Sequence, residues 1–130
     1  MKQQAQEIYK HFGDEKQRLK VKEEGLELEI ALNKLALHDV REEQGTCQEV
    51  LREEFINDCN EEFADNVLMG MQLENLDFQE AFDETKINYS KSRIYHWYGI
   101  DNFYFSNKEV RRWAERKIER TIGKYGMVVS

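Results

Sequence analysis

Residues 15–38 read EKQRLKVKEEGLELEIALNKLALH, and neither this stretch nor the rest of the chain contains a proline. Proline removes a backbone donor and clashes inside a helix, so its absence favours long uninterrupted helices. Leu19, Leu26, Ile30 and Leu37 recur at helical spacing. The pattern predicts a helix from Glu15 to His38 with these four as its buried stripe. Leu28, Leu32 and Leu35 widen that stripe, so the helix is expected to be covered on more than one side.

Outward from this segment, the same rules predict four more helices. A short first helix spans Lys2 to Phe12, with Ile8 and Phe12 one turn apart. Gly13 and Asp14 break it, and Asp14 is a suitable N-cap for the helix that follows. Polar residues Asp39 to Gly45 predict a loop. Thr46-Cys-Gln-Glu49 is a capping box that opens a third helix from Cys47 to Leu76. Leu51, Phe55, Cys59 and Phe63 lie along one face of it, and Val67, Leu68 and Met71 continue that face. Thirty residues would extend ~45 Å, so a break near Asn57–Asn60 is a second arrangement open to it. Asp77-Phe-Gln-Glu80 is another cap signature, for a fourth helix to about Lys91 with Phe78, Phe82 and Tyr89 inside. Aromatic residues crowd Ile94 to Phe105, which predicts an ordered loop rather than a linker. Ser106-Asn-Lys-Glu109 caps a fifth helix, basic and amphipathic, closed by Gly123. Val110, Trp113 and Ile118 form its buried side. The expected architecture is one all-α domain over 1–130, a bundle of four or five helices.

Composition narrows the function. No stretch approaches the ~18 apolar residues of a membrane span, and the first residues, MKQQAQEIYKHFGDEK, lack the apolar core of a signal peptide. Cys47 and Cys59 are too few for a disulfide framework and are predicted to be small apolar fillers in a reducing, cytoplasmic setting. A net charge of −7 disfavours general binding to nucleic acid backbone. That figure conceals an asymmetry, because residues 1–85 carry −13 and residues 86–130 carry +6. Either the acidic part holds cations and the basic part anions, or the two faces pair with each other.

The acidic part contains two spaced sets of carboxylates. Glu24 and Glu27 are three apart in the second helix, and Glu62 and Asp65 are three apart in the third, so each pair shares a helix face. Should the two helices pack in register, four carboxylates converge, and two like charges ~5 Å apart repel by roughly 3 kcal/mol at an effective dielectric of ~20. Protonation or a metal must relieve that. Acids are common in this chain, 26 of 130 residues, so a merely solvated face is the competing reading. Both pairs nevertheless sit in strongly apolar segments, where an unpartnered acid is costly. No Glu-x-x-His occurs, so an all-oxygen site points to Mg²⁺ or Mn²⁺ rather than to di-iron. His11, His38 and His96 share no ligand spacing and are expected to be structural.

The sequence Glu23-Glu24-Gly25-Leu26-Glu27, followed by Glu61-Glu62-Phe63-Ala64-Asp65, resembles the EExxE…ExxD signature of the MazG-like, all-α nucleoside triphosphate pyrophosphohydrolases. Lys86, Ser90 and Arg93 stand where that family carries a Lys, an Asn and an Arg. The likeness covers about residues 15–99. Ser90 and Ile94 depart from the usual Asn and Pro, Gly25 and Leu26 are swapped, and residues 28–61 make a longer gap than is typical.

The resemblance implies hydrolysis of a nucleoside triphosphate to monophosphate and pyrophosphate. Glu24, Glu27, Glu62 and Asp65 would hold Mg²⁺, or Mn²⁺. Glu23 would orient the attacking water or support the ligands, with a solvent-facing acid as the plain alternative. Lys86 and Arg93, with Lys91 in support, would contact phosphate, or else simply neutralise the acidic face. Trp97 and Tyr95 are the candidates for stacking on the base, against a core or interface role. Wide apolar faces on the second and third helices point to a homodimer or a dimer of dimers. Two other functions stay open: a non-catalytic nucleotide-sensing or assembly module of the same fold, and a metal-free adaptor whose basic tail binds an acidic partner.

Overall fold

A computed structural model describes residues 1–45, 52–90 and 105–127. Among them are five helices and no strand: α1 (Lys2–Phe12), α2 (Asp14–Glu43), α3 (Arg52–Leu73), α4 (Phe78–Ser90) and α5 (Asn107–Lys124). The all-α expectation therefore holds for the described chain. The Thr46 capping box, Cys47, Leu51 and residues 91–104, which hold all of the aromatic stretch from Ile94 to Phe105 except Phe105, lie outside the described residues.

Three polar ties fix how α2 and α3 run. Arg52 donates from Nε to Asp39 Oδ1 at 2.8 Å. Asn66 Nδ2 donates to the Glu24 carbonyl at 3.0 Å. Gln17 Nε2 donates to Gln72 Oε1 at 2.6 Å. As the residue number rises on one helix it falls on the other, so the pair is antiparallel. That register sets Glu24 opposite Asp65 and Glu27 opposite Glu62.

Phe63 is fully buried at the middle of the core, among Leu28, Leu32, Val67 and Ile118. Phe105 stacks on it with centroids 4.2 Å apart, and Phe82 meets it edge-on at 5.3 Å. Burying a side chain of this kind stabilises a fold by roughly 1.5–3 kcal/mol. Helix α1 closes one end. Its Gln6 Nε2 donates to the carbonyls of Met71 and Gln72, at 2.8 and 3.1 Å. These are among the last carbonyls of α3, which lack partners within the helix.

Several boundaries and one face differ from the sequence expectation. Helix α2 runs on to Glu43, so the predicted loop from Asp39 is helical in its first five residues. No glycine or proline interrupts that stretch, and Arg52 of α3 gives the Asp39 carboxylate a partner while Asp39 stays helical. Gly13, at φ 89°, occupies the N-cap position, because only glycine adopts that conformation without strain. Asp14 is then the first helical residue, and its carboxylate accepts from Tyr9 Oη and Arg18 Nε instead of capping. Helix α3 is unbroken through Asn57–Asn60 and ends at Leu73, short of Leu76. Helix α5 ends at Lys124, with Gly126 rather than Gly123 in the left-handed region (φ 61°).

The main correction concerns α2. Leu19, Leu26, Ile30 and Leu37 are 68, 60, 55 and 43% exposed, whereas Leu28, Leu32 and Leu35 are fully buried. The helix carries apolar residues on two opposite sides. Periodicity identifies both stripes but not which one meets α3. Packing on α3 decides that, and the side bearing Leu28 is also the one that brings Glu24 against Asp65.

Candidate metal centre

The antiparallel register gathers Glu24, Glu27, Glu62 and Asp65. Each offers a carboxylate oxygen, and the four oxygens lie within 4.8 Å of one another. Glu24 is 7% exposed. Its Oε2 and the Oε2 of Glu62 are buried with no hydrogen-bond partner. Such orphaned acceptors are expensive, since each has lost water without gaining a donor. Burial, with the charges of Asp65 and Glu27 beside it, pushes the Glu24 carboxyl well above the ordinary carboxylate range. Burial and the same two neighbours raise Glu62 to about 7.

The surroundings hold the cluster in place. Asn66 donates from one amide nitrogen to the carbonyls of Glu24 and Glu62, at 3.0 and 2.9 Å, and so clamps α2 to α3 behind the acids. Tyr89 of α4 donates to Asn66 Oδ1 at 3.1 Å, and burial pushes its phenol up to about 12. From the other side α5 delivers Lys117. Its Nζ lies 3.0 Å from Asp65 Oδ1 and 3.6 Å from Glu61 Oε1, with only 16% of the side chain exposed. The basic helix and the acidic body thus pair directly, as the charge asymmetry allowed.

Four oxygen donors carry up to four negative charges here, against the ammonium of Lys117 beside Asp65 and that of Lys20, whose charge acts on Glu24. An octahedral Mg²⁺ with bonds of roughly 2.1 Å places opposite ligands about 4.2 Å apart, and Ca²⁺ reaches somewhat further. The oxygens therefore fit a hard divalent ion with shifts of tenths of an ångström. Oxygen donors disfavour soft or imidazole-seeking metals, but the spacing does not choose among Mg²⁺, Mn²⁺ and Ca²⁺. A second acidic group, His38, Asp39 and Glu42, is less suited, because Arg52 already forms two bonds to Asp39.

Of the remaining sequence candidates, Glu23 is exposed and stands apart from the four acids. One residue, about 100° around the helix, separates it from Glu24 and places it on the outer side of α2, so the solvent-facing alternative describes it. Lys86 lies over the Phe82 ring, 5.4 Å from its centroid. Among the described residues no ion pair joins it to the cluster. Lys91, Arg93, Tyr95 and Trp97 lie outside the described residues. Two residues take roles at the site that sequence reasoning did not single out. Lys117 follows Val110 and Trp113 at spacings of seven and four, so it falls inside the buried stripe of α5, which was a readable signal. Asn66 is four residues after Glu62 and polar within an apolar run, but its role as a clamp depends on the register.

No protein-family model matches the chain, and no curated protein or solved structure matches it either. No described helix is long and apolar enough to cross a membrane.

Proposed function

We propose that the protein is a divalent-metal-dependent nucleoside triphosphate pyrophosphohydrolase of the MazG-like kind, acting in a reducing, cytoplasmic compartment. One observation carries the reading: four carboxylates from two helices converge within 4.8 Å, with two buried oxygens lacking partners. The motif likeness supplies the reaction class and the preference for Mg²⁺. A metal held there would polarise phosphate oxygens and lower the pKa of a bound water. Glu24, Glu27, Glu62 and Asp65 would hold it, Asn66 would keep the two helices in register, and Lys117 would temper the negative charge beside Asp65.

The Lys117 contact also favours a second reading, in which the acids dock α5 and no metal is involved. Pyrophosphate release from a panel of ribo- and deoxynucleoside triphosphates with Mg²⁺, Mn²⁺ or Ca²⁺ separates the two. Glu62→Gln abolishes release under the first reading. Absence of release together with absence of a metal-induced thermal shift would establish the second.

We also propose that the protein works as a homodimer joined along the outer face of α2. Leu19, Leu26, Ile30 and Leu37 fall within an arc of about 40° at ~100° per residue, opposite the inward-facing Leu28. They are symmetric about Leu28: Leu26 and Ile30 lie two residues on either side, Leu19 and Leu37 nine. An antiparallel second copy lays Leu26 on Ile30 and Leu19 on Leu37, as a two-fold interface requires. On one flank of the stripe the same symmetry sets the exposed Glu23 against the exposed Lys34 of the second copy.

A further inference from the structure

A cleft of about 290 Å³ opens among α1, α2, α3 and α5, with Glu24 and Asp65 in its lining. Lys16 and Lys20 enter it from α2, one turn apart and on the line that leads to Glu24. Arg120 and Lys124 enter from α5, again one turn apart, beside Lys117. Five cations thus line the cleft against two carboxylates. Three already have company: Lys117 bonds Asp65, Lys16 lies 4.5 Å from the centroid of the Phe12 ring, and Lys124 lies 5.4 Å from that of Tyr125. Among the described residues Lys20 and Arg120 form no ion pair, yet both face the same space. Charges of one sign focused in a walled cleft attract the opposite sign strongly.

We propose that this cleft binds the polyphosphate chain of the substrate, with Lys20 and Arg120 as its principal phosphate contacts; the proposal rests on the pyrophosphohydrolase reading. Arg120 supplies a planar fork for two phosphate oxygens and Lys20 a point charge. Glu24 and Asp65 then lie at the cleft's inner end, next to the phosphate that reacts. About 290 Å³ is at the foot of the roughly 300–1,000 Å³ typical of ligand pockets. That suits a phosphate chain and leaves the nucleoside at the mouth, where Tyr125 is 43% exposed and meets Phe12 edge-on. The larger cavity, about 450 Å³ between α2, α3 and α4, has Glu29, Glu74 and Glu84 in its lining and no Lys or Arg, so its field repels phosphate. The proposal moves phosphate contact from Lys86 on α4 to the facing cations of α2 and α5.

The test is calorimetric titration of the full chain with inorganic triphosphate, with and without Mg²⁺, beside the pyrophosphate-release assay. Lys20→Ala combined with Arg120→Ala is expected to weaken triphosphate binding at least tenfold, with unchanged circular dichroism. Arg112→Ala, which removes the same kind of charge from an exposed position, is expected to bind like the parent. Equal binding by the double variant and the parent, equal weakening by Arg112→Ala, or no binding by the parent would overturn the proposal. Release that survives the double variant would sink the cleft and leave the hydrolase reading standing. Triphosphate bound in the cleft without any release would sink the hydrolase reading and leave the cleft.

Discussion

Burial beside Asp65 and Glu27 lifts the carboxyls of both Glu24 and Glu62, and this fixes the sign of a pH effect. An acid with a raised folded pKa binds more protons folded than unfolded between its two pKa values, so stability falls with rising pH across that interval. For Glu62 the interval runs from 4.5 to about 7, and Glu24 adds to it in the same direction. The metal-free protein is therefore expected to melt at progressively lower temperature from about pH 5 to pH 8. Glu62→Gln, which cannot ionise, should flatten that slope. Added Mn²⁺ should raise the melting temperature more at pH 8 than at pH 6, with proton release on binding. A flat profile for the parent would remove the burial argument. Lys117 gives a second expectation. Removing its charge by Lys117→Ala leaves Asp65 and Glu61 unneutralised, so the metal-free protein should be less stable while Mn²⁺ binds about tenfold tighter, the order expected for one nearby charge. Paramagnetic titration of Mn²⁺ measures this, and weaker binding by the variant would show that Lys117 supports the ligands rather than opposing the ion.

Between elements, register matters more than any single acid. The i, i+3 spacings of Glu24–Glu27 and Glu62–Asp65 were legible because helical geometry alone puts each pair on one face. Whether the pairs met was not legible, since that depends on a relative slide that three dispersed ties determine. Asn66 is the tie nearest the site. Asn66→Ala should cost about 1–3 kcal/mol, the range for losing a buried polar partner, measurable by urea denaturation. Positioning groups of this kind typically change metal affinity by roughly 10–100-fold, so Mn²⁺ binding should weaken as well. Unchanged metal affinity in a destabilised variant would show that packing alone keeps the register. The caps were legible too: Glu80 N donates to Asp77 Oδ1 at 2.9 Å and Glu80 Oε1 accepts from Asp77 N at 3.4 Å, a reciprocal box. At Ser106 only half the box forms, because Asn60 Oδ1 accepts the Ser106 N–H in place of Glu109. A local motif foresees the cap, whereas a residue from another helix supplies its partner.

At the scale of the molecule, −13 and +6 are brought into contact where Lys117 meets Glu61 and Asp65, and a two-part charge pattern foresaw a pairing of this sort without naming the residues. The outward stripe of α2 is the counterpart: hydrophobic spacing revealed it, but only packing showed that it faces away from this chain's core. Four large apolar side chains in one exposed line are unusual for a lone helix face, and their symmetry about Leu28 makes the line self-complementary. The parent is therefore expected to sediment as a dimer at micromolar concentration. Ile30→Asp sets a charge against Leu26 of the second copy at both symmetric positions beside the two-fold axis and should give a monomer with undiminished helix content, since Ile30 makes no part of the core. The flank offers a finer check. Glu23→Lys sets like charges against Lys34 at both symmetric positions and should weaken the dimer several-fold, in keeping with exposed pairs worth about 0.2–1 kcal/mol each. Combining it with Lys34→Glu restores opposite charges and should recover the parent's affinity, a reversal that general loss of stability would not produce. A parent that stays monomeric at high concentration, or a dimer indifferent to Ile30→Asp, would assign the stripe to some other contact and leave the metal centre of each protomer to function alone.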